Sequence, residues 1–304
     1  MTDSRPRLAH SFRPPLVAAA LLLAARTLVS EETIEGARRD ARSDGYEAPS
    51  ASDLALAVDL FRGLLRPEED AGRLARLAGE IGLEVIKVSE GGEDFLIARE
   101  PAGSRGGRGF FVFRRGCVTS IAFQAPHARD DLLTGPLASK LFRESRAAAA
   151  AWSTAPRSAA VKESTATADL AHLPESLLGS FTRAFAAAHP KGIVVQLHGF
   201  DGEERRCADS PGWPIVVSGG TRLAPPWILD TASRLERAFG DRVAVYPRDI
   251  GELGGTTNAQ ARLLRSLGHS GFLHIEMDLD ARRRLKDCQA LRAAFLGCLP
   301  VARP

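Results

Sequence analysis

The chain has 304 residues, 44% of them hydrophobic and 25% charged, enough for one large domain or two modest ones. Its 40 Lys and Arg against 37 Asp and Glu leave a formal charge of +3, a balance that argues against a nucleic-acid or membrane-surface partner. The four cysteines (Cys117, Cys207, Cys288, Cys298) form no C-x-x-C pair, which argues against a structural zinc cluster; Cys288 and Cys298 are the easiest local disulfide pair.

Arg5, Arg7 and Arg13 precede an apolar run at 16–25. It is too short to span a bilayer but fits the apolar region of a secretory signal behind a basic start. Residues 1–30 therefore read as a signal peptide or an N-terminal extension, pointing to export (periplasmic or extracellular), with a cytoplasmic location as the alternative. Residues 31–52 are polar and charged and read as a linker. From Asp53, the spacing of Leu54, Leu56, Val58, Leu60, Phe61, Leu64 and Leu65 predicts a helix that Pro67 ends, and Leu74 and Leu77 mark a second. Segments 83–88, 95–98 and 109–113 predict strands, the first two joined at Gly91-Gly92. Together 53–115 form a small α+β lead-in whose strands feed the edge of a main sheet.

Residues 116–304 alternate strand and helix. Strands are expected at 118–123, 192–200, 215–220, 243–246 and 271–277, and helices at 135–152, 176–188, 226–239, 258–267 and 279–296. The continuous apolar run at 192–200 is the pattern of a strand buried on both faces. The expected class is α/β, with a mixed, largely parallel central sheet flanked by helices and the small α+β lead-in before it.

Polar residues sit where three of these strands end: His127 with Asp130 and Asp131, His198, and Glu276. In open α/β sheets the carboxyl ends of strands converge on one crevice. Two histidines and a carboxylate hold zinc with a position left open, the arrangement of hydrolytic zinc enzymes. A separate carboxylate then takes a proton from water, and Glu276 is the candidate. The plain alternative is a solvated Asp pair ahead of a helix capped by Thr134. Other chemistries lack their motifs: Gly268-His269-Ser270-Gly271-Phe272 fails G-x-S-x-G at its last residue, and there is no H-E-x-x-H, P-loop or G-x-G-x-x-G.

Pro126-His127-Ala128-Arg129-Asp130, Leu197-His198-Gly199-Phe200 and Ile275-Glu276-Met277 resemble motifs of the zinc carboxypeptidase superfamily, in particular its poly-γ-glutamate hydrolase and succinylglutamate desuccinylase-like branches. The resemblance covers residues from about 100 to the end. It implies one Zn²⁺ held by His127, an aspartate and His198, with Glu276 as general base. The superfamily's acidic ligand is usually Glu; its common spacing selects Asp130, whereas the poly-γ-glutamate hydrolase spacing, three residues before a threonine, selects Asp131, which is preferred here. Arg157 stands where the superfamily carries a substrate-side arginine, and Arg222 is a second candidate for gripping a carboxylate. The implied activity is hydrolysis of an amide in a small peptide or N-acyl amino acid bearing a carboxylate, a γ-glutamyl or cell-wall amide included. The alternative is a catalytically weak binding module for acidic peptides or cell-wall fragments on the same fold. Asp169 and His172 are expected to shape the pocket at most. His274 is expected beside the site or in the core, and 251–258 as a substrate loop or a plain turn.

Overall fold

The computed structural model describes residues 33–66, 68–116, 118–162, 164–202 and 212–300. The apolar run 16–25, Cys117 and Cys207 lie outside the described residues. Polar caps begin the folded chain. Thr33 accepts from the Gly36 N–H to open α1 (Ile34–Asp40). Ser50 and Asp53 form a capping box at the start of α2 (Ala51–Leu64), and Asp70 accepts from the Gly72 N–H to open α3 (Ala71–Glu80). Part of the expected linker is thus ordered: Ile34 and Ala37 of α1 are fully buried.

Strands β1 (Glu84–Glu90), β2 (Glu93–Arg99) and β3 (Phe110–Arg114) follow as an antiparallel meander. Next come β4 (Thr119–Ala125), α4 (Thr134–Glu144), β5 (Ala147–Trp152), α5 (Leu177–Ala188) and β6 (Ile193–Gly199). The rest comprises β7 (Ile215–Ser218), α6 (Pro226–Phe239), β8 (Val243–Val245), α7 (Ala259–Ser266), β9 (Phe272–Met277), α8 (Leu279–Asp287) and α9 (Gln289–Cys298). The described strands make one sheet in the order β1-β2-β3-β5-β4-β6-β9-β7-β8. Its centre, β5-β4-β6-β9, is parallel, and β3 and β7 join it antiparallel. This is the mixed α/β class read from the sequence, and the lead-in strands are the edge of the same sheet.

One element departs from expectation. The Ala-rich stretch 135–152 is not one helix: α4 stops at Glu144 and Ala147–Trp152 is a strand buried along its whole length. Alanine favours helix in isolation, but this segment lies at the sheet's centre and tertiary packing overrides propensity. Ala147 and Ala150 face the core beneath α4 with Leu137 and Phe142, while Ala148, Ala149 and Ala151 face Phe181 and Phe185 of α5. Small side chains let both helices approach the strand. The expected helix 279–296 likewise divides at Cys288, whose backbone is extended. Cys288 and Cys298 are free thiols. They stand at opposite ends of α9, roughly 15 Å apart by helix rise, beyond the reach of a disulfide.

Each sheet face is covered by its own apolar layer. On one, Phe61, Phe111, Phe113 and Phe181 pack ring against ring at centroid distances of 4.6–6.0 Å. On the other, Phe123, Val195, Leu197 and Ile275 lie under α4 and α8. No described helix is long and apolar enough to cross a membrane.

Candidate metal centre

The chain leaves β4 through a tight turn in which the Asp131 N–H donates to the His127 carbonyl (2.9 Å) and the Thr134 hydroxyl donates to the Asp131 carbonyl (2.7 Å). One helix-like turn sets residues four apart on the same side. His127 and Asp131 therefore face each other, with Nδ1 to Oδ2 at 3.4 Å. Asp130, one position earlier, turns away and accepts from the Arg157 backbone N–H (2.9 Å). Leu133 closes the turn at φ 74°, a left-handed conformation of a non-glycine residue. Thr134 is the first residue of α4 and not its cap, and Leu133 makes no side-chain cap.

β6 delivers His198 at its carboxyl end, where its Nδ1 lies 3.7 Å from Asp131 Oδ2. The same carboxylate oxygen accepts from the Gly199 N–H (2.9 Å), so the strand end fixes the aspartate's aim. The parallel pairing of β6 with β9 puts Gln196 opposite His274 and His198 opposite Glu276. With side chains alternating along each strand, all four lie on one face of the sheet. The His198 and His274 rings are 4.6 Å apart, and His274 Nε2 is 3.8 Å from Glu276 Oε1. A Cβ at Gly199 would lie 2.2 Å from the Arg282 guanidinium, so a larger residue there would have to displace it.

The donor set fits a divalent cation of zinc type. One ligand atom each from His127, Asp131 and His198 lies within 4.8 Å of the other two. Tetrahedral zinc with bonds of ~2.0–2.2 Å spaces its ligand atoms roughly 3.3–3.5 Å apart. The two histidine-to-aspartate separations, 3.4 and 3.7 Å, need only slight closure. Each imidazole is also held from behind, as ligating histidines are. His127 Nε2 lies 2.8 Å from Asp169 Oδ1, and His198 Nε2 lies 2.8 Å from Gln196 Oε1. Both Nδ1 atoms are left for the ion. A second trio, His198, His274 and Glu276, also converges but shares His198 with the first.

Electrostatics separate the three histidines. Burial lowers the pKa of His127, but hydrogen bonds to Asp131 and Asp169 outweigh it and raise the value to about 9. Asp169 is pushed the other way: burial raises it, and bonds to His127 and His172 hold it far below the usual carboxylate range. His198 is driven well below 6.5 by burial and then by neighbouring His274, and burial takes His274 down to about 4. His198 is therefore neutral at pH 7, the form in which imidazole binds a metal.

A cavity of about 360 Å³ opens over these residues, lined by His127, Asp131, His198, His274 and Glu276 on its floor. Arg157, His172 and the loop 251–258 make up much of the wall. Arg157 donates to Asp169 Oδ2 (2.9 Å), and its side chain is about half exposed at 46%. His172 joins the rim, with Nδ1 3.1 Å from Asp169 and Nε2 3.1 Å from Thr257 Oγ1. Arg222 is exposed and is not among the residues lining the cavity. Asp169 has a larger place than its sequence context promised. Nothing local marks it, because its partner His127 is 42 positions away. Gln196 was equally invisible, one polar residue in an apolar run.

No family model matches the chain, and no curated protein does. Solved structures do resemble it. A "putative metallopeptidase" from Shewanella denitrificans is 13% identical, covering 82% of this chain and 90% of its own, with a TM-score of 0.38. A "putative carboxypeptidase" from Burkholderia mallei is 15% identical, with coverages of 76% and 67% and the same TM-score, 0.38. Thrombin activatable fibrinolysis inhibitor is 7% identical over 79% of this chain and 78% of its own, with a TM-score of 0.37. The likeness is one of fold alone. The chemistry of the site rests on its own side chains.

Proposed function

We propose that the chain is a zinc-dependent amide hydrolase of carboxypeptidase or amidase type, acting on a peptide or N-acyl amino acid that carries a carboxylate. The reading is supported above all by one observation: His127, Asp131 and His198, brought together from two strand ends, present three ligand atoms within 4.8 Å of one another beside Glu276. Zinc, when bound, polarises the scissile carbonyl and makes water a nucleophile near neutral pH. Glu276 accepts the proton of the attacking water and delivers it to the leaving amine. Arg157 keeps one guanidinium nitrogen on Asp169 and lines the cavity, where its remaining donors would grip a substrate carboxylate or the developing oxyanion. Asp169 holds the His127 ring through Nε2. The loop 251–258 walls the substrate in and excludes bulk water.

Metal analysis of the purified protein together with Glu276→Gln tests this reading. Stoichiometric zinc in both proteins, with hydrolysis of N-acyl amino acids lowered at least about 10²-fold in the variant, is the expected result. Absence of bound divalent metal at micromolar zinc would defeat it. Zinc retention with ligand binding that is indifferent to Glu276→Gln, and no turnover in either protein, would favour a binding module.

A further inference from the structure

Behind His198 runs a chain of buried side-chain amides whose hydrogen bonds have only one consistent direction. Gln124, Gln196 and Gln260 are fully buried, and Asn258 nearly so. Three anchors on the backbone set that direction. Thr182 gives its one hydroxyl proton to the Leu178 carbonyl (2.8 Å), so its oxygen can only accept from Gln124, whose Nε2 is 2.8 Å away. Gln124 must then turn Oε1 toward Gln196, and it accepts from Gln196 Nε2 at 2.9 Å. Gln260 Nε2 donates to the Leu170 carbonyl (2.9 Å), which likewise leaves Gln260 Oε1 to accept the second Gln196 proton at 3.2 Å. Asn258 Oδ1 accepts from the Ala261 N–H as the cap of α7, so its Nδ2 faces Gln196 Oε1 at 2.5 Å.

All three anchors demand the same orientation of Gln196, with both Nε2 protons donated and Oε1 aimed away from Gln124 and Gln260. The remaining partner of that oxygen is His198 Nε2, at 2.8 Å. A carbonyl oxygen cannot donate, so the proton of the neutral imidazole sits on Nε2 and the lone pair on Nδ1. Nδ1 is the nitrogen that faces Asp131.

We infer that Gln124, Gln196, Gln260 and Asn258 form a directed amide relay that holds His198 in the Nε2–H tautomer, making Gln196 a positioning residue for metal capture. The tautomer follows from the hydrogen-bond directions alone; its use in capturing an ion rests on the zinc reading above. An unconstrained neutral imidazole places its proton on either nitrogen. The relay removes the form that would block the ion, and it does so before any ion arrives. Burying four amides is costly unless their polar groups are met, and Gln196, the one that bonds His198, has both Nε2 protons and its Oε1 partnered.

The test reads the tautomer without metal. In zinc-free protein with ¹⁵N-labelled histidine, two-dimensional ¹H–¹⁵N spectra at a pH where His198 is neutral are expected to show Nε2 protonated and Nδ1 bare. Zinc addition should then shift the Nδ1 resonance selectively. Gln196→Leu removes the acceptor and is expected to mix the tautomers and weaken zinc binding by about 10–100-fold in a chelator competition. Gln196→Glu keeps an acceptor facing Nε2 and should retain the tautomer. An Nδ1–H tautomer in the wild-type chain overturns the proposal whether or not either variant folds. So does a folded Gln196→Leu protein with unchanged tautomer and unchanged zinc affinity. An Nε2–H tautomer in a protein that takes up no zinc upholds the relay and sinks the metal reading alone.

Discussion

At the scale of single residues, the site depends on which nitrogen carries which proton. Both nitrogens of His127 face carboxylates, Asp131 on one side and Asp169 on the other. Its folded pKa, about 9, stands above the ordinary 6.5. The folded state thus binds that proton more tightly than the unfolded chain. The stability it contributes is fully present below about pH 6.5 and is lost as pH rises through about 9. On the proposed zinc site, ligation through His127 needs the opposite state, with Nδ1 bare, so stabilisation by added zinc is expected to grow over the same interval. Thermal melts from pH 6 to 9.5 should therefore show the metal-free protein losing stability from this group while the gain on adding zinc increases; parallel curves with and without zinc would contradict this. Asp169→Asn replaces a charged acceptor behind His127 with a neutral amide. Zinc affinity is expected to fall about 10–100-fold, as loss of an outer partner commonly costs, and a dye competition assay measures it.

At the scale of elements, β5 carries the lesson of the Ala-rich stretch. Five alanines in a row predict helix by propensity, yet they fill a strand because α4 and α5 press on opposite faces. Ala149 is fully buried among Phe111, Phe113, Phe181 and Phe185. Ala149→Leu adds three carbons where the aromatic layer leaves no room. Overpacking of this kind costs about 1–3 kcal/mol, to be measured as a lowered urea midpoint with unchanged slope. A midpoint equal to that of the wild type would mean that the close approach of α5 does not select alanine. The β4–α4 turn obeys a related rule: its single helical turn and the left-handed Leu133 decide that Asp131, not Asp130, faces the histidines.

At the scale of the whole molecule, the site is a junction between distant parts of the chain, and Arg282 of α8 pins it. Its buried guanidinium donates to the carbonyls of Leu132 (2.5 Å) and Phe200 (3.1 Å), each one or two residues beyond a proposed ligand. Its Nε donates to the backbone carbonyl of Asp278, the N-cap of α8 (3.1 Å). Burial lowers its pKa, and the nearby carboxylates, Asp131 first among them, oppose that. Arg282→Met keeps much of the volume but removes the donors that the Leu132 and Phe200 carbonyls accept from. A loss of about 3 kcal/mol is expected in denaturant unfolding, accompanied by weaker zinc binding as the two ligand turns loosen. A variant as stable as the wild type with unaltered zinc affinity would remove Arg282 from this account.

Much was legible before any fold was known. Strand ends bearing His127, His198 and Glu276 stand out because polar residues interrupt or close apolar runs, and periodicity located most of the strands and helices. That information is local, carried by neighbours within a few positions, and hydrophobic patterning transmits it directly. What the tertiary structure alone decided is whatever depends on partners far apart in the chain. Burial between two helices turned an alanine run into a strand. A one-residue difference in a turn chose between two aspartates. Asp169 came behind one histidine and a file of glutamines behind the other, leaving Arg222 outside the cavity. Hydrogen bonds and metal ligation act over about 3 Å, and no sequence pattern states which residues will lie that close until the sheet has been assembled.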